Sequence, residues 1–202
     1  MWTILPLLLG LAQAAEEPEQ GPQSAESEQF DQAEYARKAE EMRKLASRSI
    51  WPGVERIFLE LTDHNEVLSY DDYVIGAQSA RALGKAAEMK ERLGQAMKRN
   101  YRAEDTREWL DSVQTSFGVA RIYADPGAGT LAAVNPPFAP DLRASIEYAG
   151  KILAETGSFE GLLPAGEYTL QIGKKKHKVS HFTVVPQVAS IYIDRRTKVD
   201  GR

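Results

Sequence analysis

The chain has 202 residues, no cysteine and a formal net charge of −4. Hydrophobic residues make up 43%, enough for a real core, and the length allows one domain or two small ones. Mild acidity gives no reason to expect nucleic acid as a partner, and without cysteine the fold must be held by core packing rather than disulfides.

In chain order, Ile4 to Leu11 is a short apolar run followed by Ala12-Gln13-Ala14, a small-x-small cleavage site, and then by acidic residues. That is the shape of a secretory signal peptide over residues 1–14, too short to span a bilayer, although Met1-Trp2-Thr3 lacks the usual basic residue. Cleavage after Ala14 with no cysteine to lipidate predicts a periplasmic or secreted protein, with no transmembrane segment in the mature chain. Residues 15–29 are mostly Glu, Gln, Ser, Pro and Gly, and read as a disordered acidic linker, because so little apolar surface cannot offset the entropy of ordering.

A helical domain is expected over residues 30–115. Ala33, Ala36, Ala39, Met42 and Leu45/Ala46 recur at spacings of three and four, the inner face of a first helix. Pro52 suits the first turn of a second helix, whose stripe is Val54, Ile57, Phe58 and Leu61. Asp71 or Asp72 is positioned to cap a third helix with Ile75, Ala77, Ala80 and Leu83 inward, and Gly76 allows a neighbour to approach closely. Leu83-Gly84-Lys85 marks a turn, and Met89, Leu93 and Ala96 form the stripe of a fourth helix. Val54/Phe58/Leu61 and Met89/Leu93/Ala96 stand 35 residues apart, close to the period of a helix-turn-helix repeat.

On Tyr73, Ala77, Ala80, Met89, Leu93 and Ala96, the chain resembles the tetratricopeptide repeat family. The earlier copy is carried by Met42, Leu45, Val54, Phe58 and Leu61, and the helix Glu104 to Val113, with Trp109 and Leu110 inward, would act as a cap. The resemblance implies a groove for a protein or peptide. A helical bundle with coincident spacing is the alternative reading.

Beyond Phe117-Gly118 the period changes to two. Val119, Arg121 and Tyr123 alternate with Ala120, Ile122 and Ala124, and Asp125 to Gly129 reads as a turn. Glu167 to Ile172, Val179 to Val185 and Ala189 to Ile193 are three further strand-like runs. Leu142, Ile146, Ala149 and Ile152/Leu153 stand at helical spacing with Gly157 as a stop, so Asp141 to Thr156 reads as a helix, with paired strands over Ser145 to Leu153 as the alternative.

Val119-Ala120-Arg121-Ile122-Tyr123-Ala124-Asp125-Pro126-Gly127-Ala128, and later Gly157-Ser158-Phe159 followed by Leu162-Leu163-Pro164-Ala165-Gly166-Glu167-Tyr168-Thr169-Leu170, resemble the entry and the closing half of the PEGA and carboxypeptidase-regulatory-like β-sandwich domains. The family's Asp-Gly hairpin after the first turn is absent. The expected fold is therefore α+β: helical hairpins (tetratricopeptide-like), then a small antiparallel β-sandwich-like domain over residues 117–196, with a tail at 197–202.

Candidate chemistry is sparse. His177 and His181 are four apart but flank a strand, where four residues span about 13 Å, too far for one ion. Asp125-Pro126-Gly127-Ala128-Gly129 lacks the Gly-Lys-Ser/Thr of a phosphate loop, and there is no G-x-S-x-G elbow. No catalytic residue, metal ligand or cofactor site is assigned. Lys174, Lys175, Lys176 and Lys178 are candidates for anion contact, weighed against lysines that merely blunt an exposed sheet edge. The expectation is a non-enzymatic interaction or scaffold protein of a bacterial envelope, binding another envelope protein or peptide through its helices. The alternative is a module binding cell-wall polymer or carbohydrate through exposed aromatics among Tyr123, Tyr148, Phe159, Tyr168 and Tyr192.

Overall fold

A computed structural model describes residues 23–63, 68–127, 129–172, 178–188 and 190–196; the side chains of residues 23–31 and of Lys178 lie outside the description. Contacts divide the chain into residues 1–34 and one compact unit, residues 35–202. Among the described residues, six helices and two small sheets make the fold α+β, with both sheets in the C-terminal half.

The helices follow their apolar spacing. α1 runs Gln23–Ser47, α2 Trp51–Asp63, α3 Tyr70–Ala82, α4 Ala86–Arg99 and α5 Glu104–Ser116. α1 takes in Gln23 to Gln29, which composition assigned to the linker; the Glu, Gln and Ala there are good helix formers that extend a helix already anchored further on. Its inner face also differs from expectation. Ala39 and Met42 are buried, but Ala33 and Ala36 are exposed, and Tyr35 packs inward in their place. In α2, Val54, Ile57, Phe58 and Leu61 are all buried, each worth about 2 kcal/mol of gross apolar transfer. Gly76 of α3 faces that stripe so closely that a Cβ there would lie 2.4 Å from the Phe58 ring.

Capping of α3 corrects the sequence reading. Ser69 is the N-cap, and Asp72 is the third residue of a capping box. The Ser69 hydroxyl accepts from the Asp72 N–H at 3.2 Å, and the Asp72 carboxylate accepts from the Ser69 N–H at 3.1 Å. Asp72 is fully buried because two groups of α1 also reach it: the Tyr35 hydroxyl, and Arg43 at 3.1 Å. A carboxylate one turn inside the helix meets more donors than one at its tip, which explains the shift. Burial and the hydrogen bond to Asp72 raise the Tyr35 pKa above the usual tyrosine value.

β1, Phe117–Tyr123, continues directly from α5. It is followed by β2 (Gly129–Ala133), α6 (Pro140–Thr156), β3 (Ser158–Pro164), β4 (Gly166–Ile172), β5 (Lys178–Val184) and β6 (Ile191–Asp194). α6 is a helix, started by a proline in its first turn and ended at Gly157, so the paired-strand alternative falls. Gly129 opens a strand rather than closing a turn, because its residues pair with β4, Leu131 opposite Leu170.

The sheets have orders β3-β1-β6 and β2-β4-β5. Pairing is antiparallel except β1 with β6, which is parallel, so the all-antiparallel expectation is corrected. The six-residue gap after β5 carries the chain across to the other sheet, and β6 thus arrives in the direction of β1. Inward residues of both sheets, Ile122, Leu163, Leu170 and Val184 among them, share one core with Ala149 and Leu153 of α6. A second core joins helices to strands: Ala77, Ala80, Met89, Leu93 and Val113 pack with Phe117 and Leu162.

Candidate functional site

Most polar features that stand out in the helical layer are explained by folding. Glu55 on α2 is buried, held by Arg92 at 2.6 and 2.9 Å, by Lys85 at 2.8 Å and by the Ser79 hydroxyl at 3.1 Å. Arg92 also donates to the Gly76 carbonyl at 2.8 Å and lies over the Phe58 ring, 4.2 Å from its centroid. Burial alone would raise the Glu55 pKa, but its bonds to Arg92 and Lys85 outweigh that and hold it at about 2 against an ordinary 4.5. This cluster ties α2, α3 and α4 together and leaves no group free for a ligand.

The surface is more informative. α4 buries Ala86, Met89, Arg92, Leu93 and Ala96, which turns Ala87, Lys90, Glu91, Gly94, Gln95 and Lys98 outward. Beside them stand Gly161 and Leu162 of β3 and Val119 of β1, 40% exposed, bounding an open groove of about 480 Å³. The groove exists because Ala87, Gly94 and Gly161 are small. A Cβ built at Gly94 would meet nothing within 4 Å, so the fold does not require glycine there. A helix-interior glycine costs about 1 kcal/mol relative to alanine, which is the signal sequence reading passed over. Towards the start of α4 the groove adjoins a recess of about 290 Å³, where Tyr148, Phe159 and Ile152 meet Glu88, Glu91 and Glu160. Burial first, and then the charge of Glu88, raises the Tyr148 pKa.

The outer face of the β3-β1-β6 sheet holds the second feature. Tyr123 of β1 and Tyr192 of β6 lie with ring centroids 5.6 Å apart, tilted by 50°, and Tyr192 is 62% exposed. Arg196 stacks over Tyr123 at 5.1 Å and forks onto Asp194 at 2.5 and 3.0 Å. Glu160 accepts from the Tyr123 hydroxyl, a bond that raises the tyrosine's pKa, and also pairs with Arg121 at 3.7 Å.

Of the five aromatic candidates, Phe159 and Tyr168 are removed by burial. Tyr168 stacks on Phe182 and donates to the Pro164 carbonyl at 2.7 Å, a packing role. Tyr148 is half-buried in the recess, and Tyr123 and Tyr192 come together. Lys174, Lys175 and Lys176, His64 and His177, the leader over residues 1–14 and the tail at 197–202 lie outside the described residues; Lys178 opens β5, and His181 is exposed on it. Among the described residues, no three His, Asp or Glu side chains converge as a metal site, and no helix is long and apolar enough to cross a membrane. The chain matches no protein-family model, no curated protein and no solved structure.

Proposed function

We propose that this is an exported, non-enzymatic interaction protein of a bacterial envelope, binding a segment of another protein along the outer face of α4. The observation that carries the reading is the groove of about 480 Å³ whose floor is kept open by Gly94, a glycine the fold has no use for. Its apolar wall of Ala87, Val119 and Leu162 suits an apolar segment, and Lys90 and Lys98 on the rim favour acidic flanks on that segment. The tetratricopeptide-like reading of the helices draws support from burial: Val54, Phe58 and Leu61, and their counterparts Met89, Leu93 and Ala96, are each at most 3% exposed. The sandwich-like reading of the strands draws support from the core shared by the two sheets, and from Tyr168, bonded back to a carbonyl four residues upstream. Export rests on the leader-like residues 1–14.

Gly94 separates folding from function. Gly94→Ala is expected to raise stability by up to about 1 kcal/mol, since the added methyl meets open space. Gly94→Glu, also a better helix former than glycine, is expected to keep at least the wild-type unfolding midpoint while filling the groove and opposing acidic segments. Crosslinked capture from envelope extracts, scored as partners kept by wild type and lost by Gly94→Glu, checks this. A partner set indifferent to Gly94→Glu would sink the groove reading.

Tyr123 and Tyr192 favour a second reading, a saccharide stacked on the outer sheet face. Under it, Tyr192→Ala is expected to abolish co-sedimentation with peptidoglycan while the fold stays intact, because the ring is already 62% exposed.

A further inference from the structure

The loop between β2 and α6 reads Val134-Asn135-Pro136-Pro137-Phe138-Ala139 and ends at Pro140, the first residue of α6. It is tied at both ends. The Val134 N–H donates to the Glu167 carbonyl at 2.8 Å, and Asp141, next after Pro140, accepts from Arg81 at 2.8 Å. Three prolines in seven positions fix much of the backbone between those ties. Yet Phe138 is 98% exposed, the most exposed large apolar side chain among the described residues. A phenyl ring held in water on a stiffened loop loses little further entropy when it docks, which is the condition for an anchor residue.

Two residues along the chain lies a hole. Trp51, Gln78, Arg81, Ala82, Pro140 and Asp141 line an open cleft of about 690 Å³, with Ile50, 44% exposed, next to Trp51 in sequence. A cavity of about 150 Å³ suffices for benzene, so the cleft has room for a phenyl ring and a flanking proline. The chain's own Phe138 does not fill it, since that ring stands clear of the protein.

We propose that a second copy of this chain docks here as a two-fold dimer, with Phe138 of each copy seated in the Trp51–Ala82–Pro140 cleft of the other. Phe138 stands two residues before Pro140 of the cleft's lining, and a knob so close to a hole is self-complementary when both meet the same partner face: rotation about an axis midway between them engages both at once. No other partner is needed to supply either half, and each interface gains two anchors. Among the described residues, the charges lining the cleft are Arg81 and Asp141, which already pair with each other, so docking strands neither. These residues are separate from those of the α4 groove, so the dimer and the groove stand or fall independently.

Sedimentation equilibrium of the full chain from about 1 to 100 μM tests the dimer. Wild type is expected to show a concentration-dependent monomer–dimer equilibrium. Phe138→Ser, which removes a side chain already in solvent, and Ala82→Arg, which fills the cleft from the exposed last turn of α3, are each expected to weaken it by about thirtyfold or more. Circular dichroism confirms that both remain folded. Mixing the two variants is expected to restore part of the association, because the Phe138 of one still meets the open cleft of the other. A chain monomeric throughout that range, or a dimer that survives either substitution, overturns the proposal.

Discussion

Arg92→Met is expected to destabilise the fold by about 3–5 kcal/mol at pH 7, because it takes from the buried Glu55 carboxylate the guanidinium that holds both its oxygens, at 2.6 and 2.9 Å. Lys85 remains at 2.8 Å but carries one charge from a half-exposed stem, and the Ser79 hydroxyl at 3.1 Å is neutral. The cation over the Phe58 ring and the bond to the Gly76 carbonyl go as well. Urea unfolding followed by circular dichroism reads the effect as a lowered midpoint with an unchanged slope. The double substitution Glu55→Leu with Arg92→Met is expected to recover most of the loss, because it removes both the charge and the need to compensate it. Recovery separates a stranded charge from simple loss of packing.

The same carboxylate gives the pH dependence its direction. Glu55 is held at about 2 in the fold against 4.5 when free, so the unfolded chain binds its proton first as the medium becomes acidic. Its contribution, about 3 kcal/mol, is complete above pH 4.5 and disappears as pH falls towards 2. In Glu55→Gln the decline in stability between those two values is expected to be shallower by that amount.

Gly84→Ala is the second large effect, expected at about 3–5 kcal/mol and a fall in melting temperature of roughly 10 °C. Gly84 sits in the α3–α4 turn with φ at +75°, and a Cβ there would lie 2.1 Å from the Ala144 carbonyl oxygen and 2.8 Å from the Ser145 nitrogen. Both are backbone atoms of α6, so the clash is relieved only by moving a helix. That helix is tied to α3 through Arg81 and Asp141, with Trp109 under the same guanidinium at 5.7 Å. Gly127→Ala is the control: its φ is +71°, but a Cβ there meets nothing within 4 Å. It is expected to cost about 1 kcal/mol, the left-handed strain alone. Equal losses in the two variants would mean that the contact between the turn and α6 contributes nothing.

The sequence by itself determined the helices and their inner faces wherever an apolar stripe repeated at three and four. Val54, Phe58, Leu61, Met89, Leu93 and Ala96 are each buried as their spacing required, and Gly157 stops α6 as expected. Local periodicity is legible because burying one face of a helix against anything at all demands it. In the early turns of α1, where the stripe was only Ala33 and Ala36, the signal failed: alanine suits either face, and Tyr35 took the inward place by reaching Asp72.

Tertiary structure decided what local signals do not contain. Strand β2 was hidden in a glycine-rich stretch, because Gly129 to Ala133 owe their conformation to pairing with β4 rather than to their own propensity. The parallel placement of β6, the burial of Phe159 and Tyr168, and the meeting of Tyr123 with Tyr192 all depend on which strands lie side by side. The groove along α4 and the cleft beside the Phe138 loop arise likewise from residues distant in the chain. Burial and exposure are properties of surfaces in contact, and a sequence specifies those surfaces only once the elements have packed.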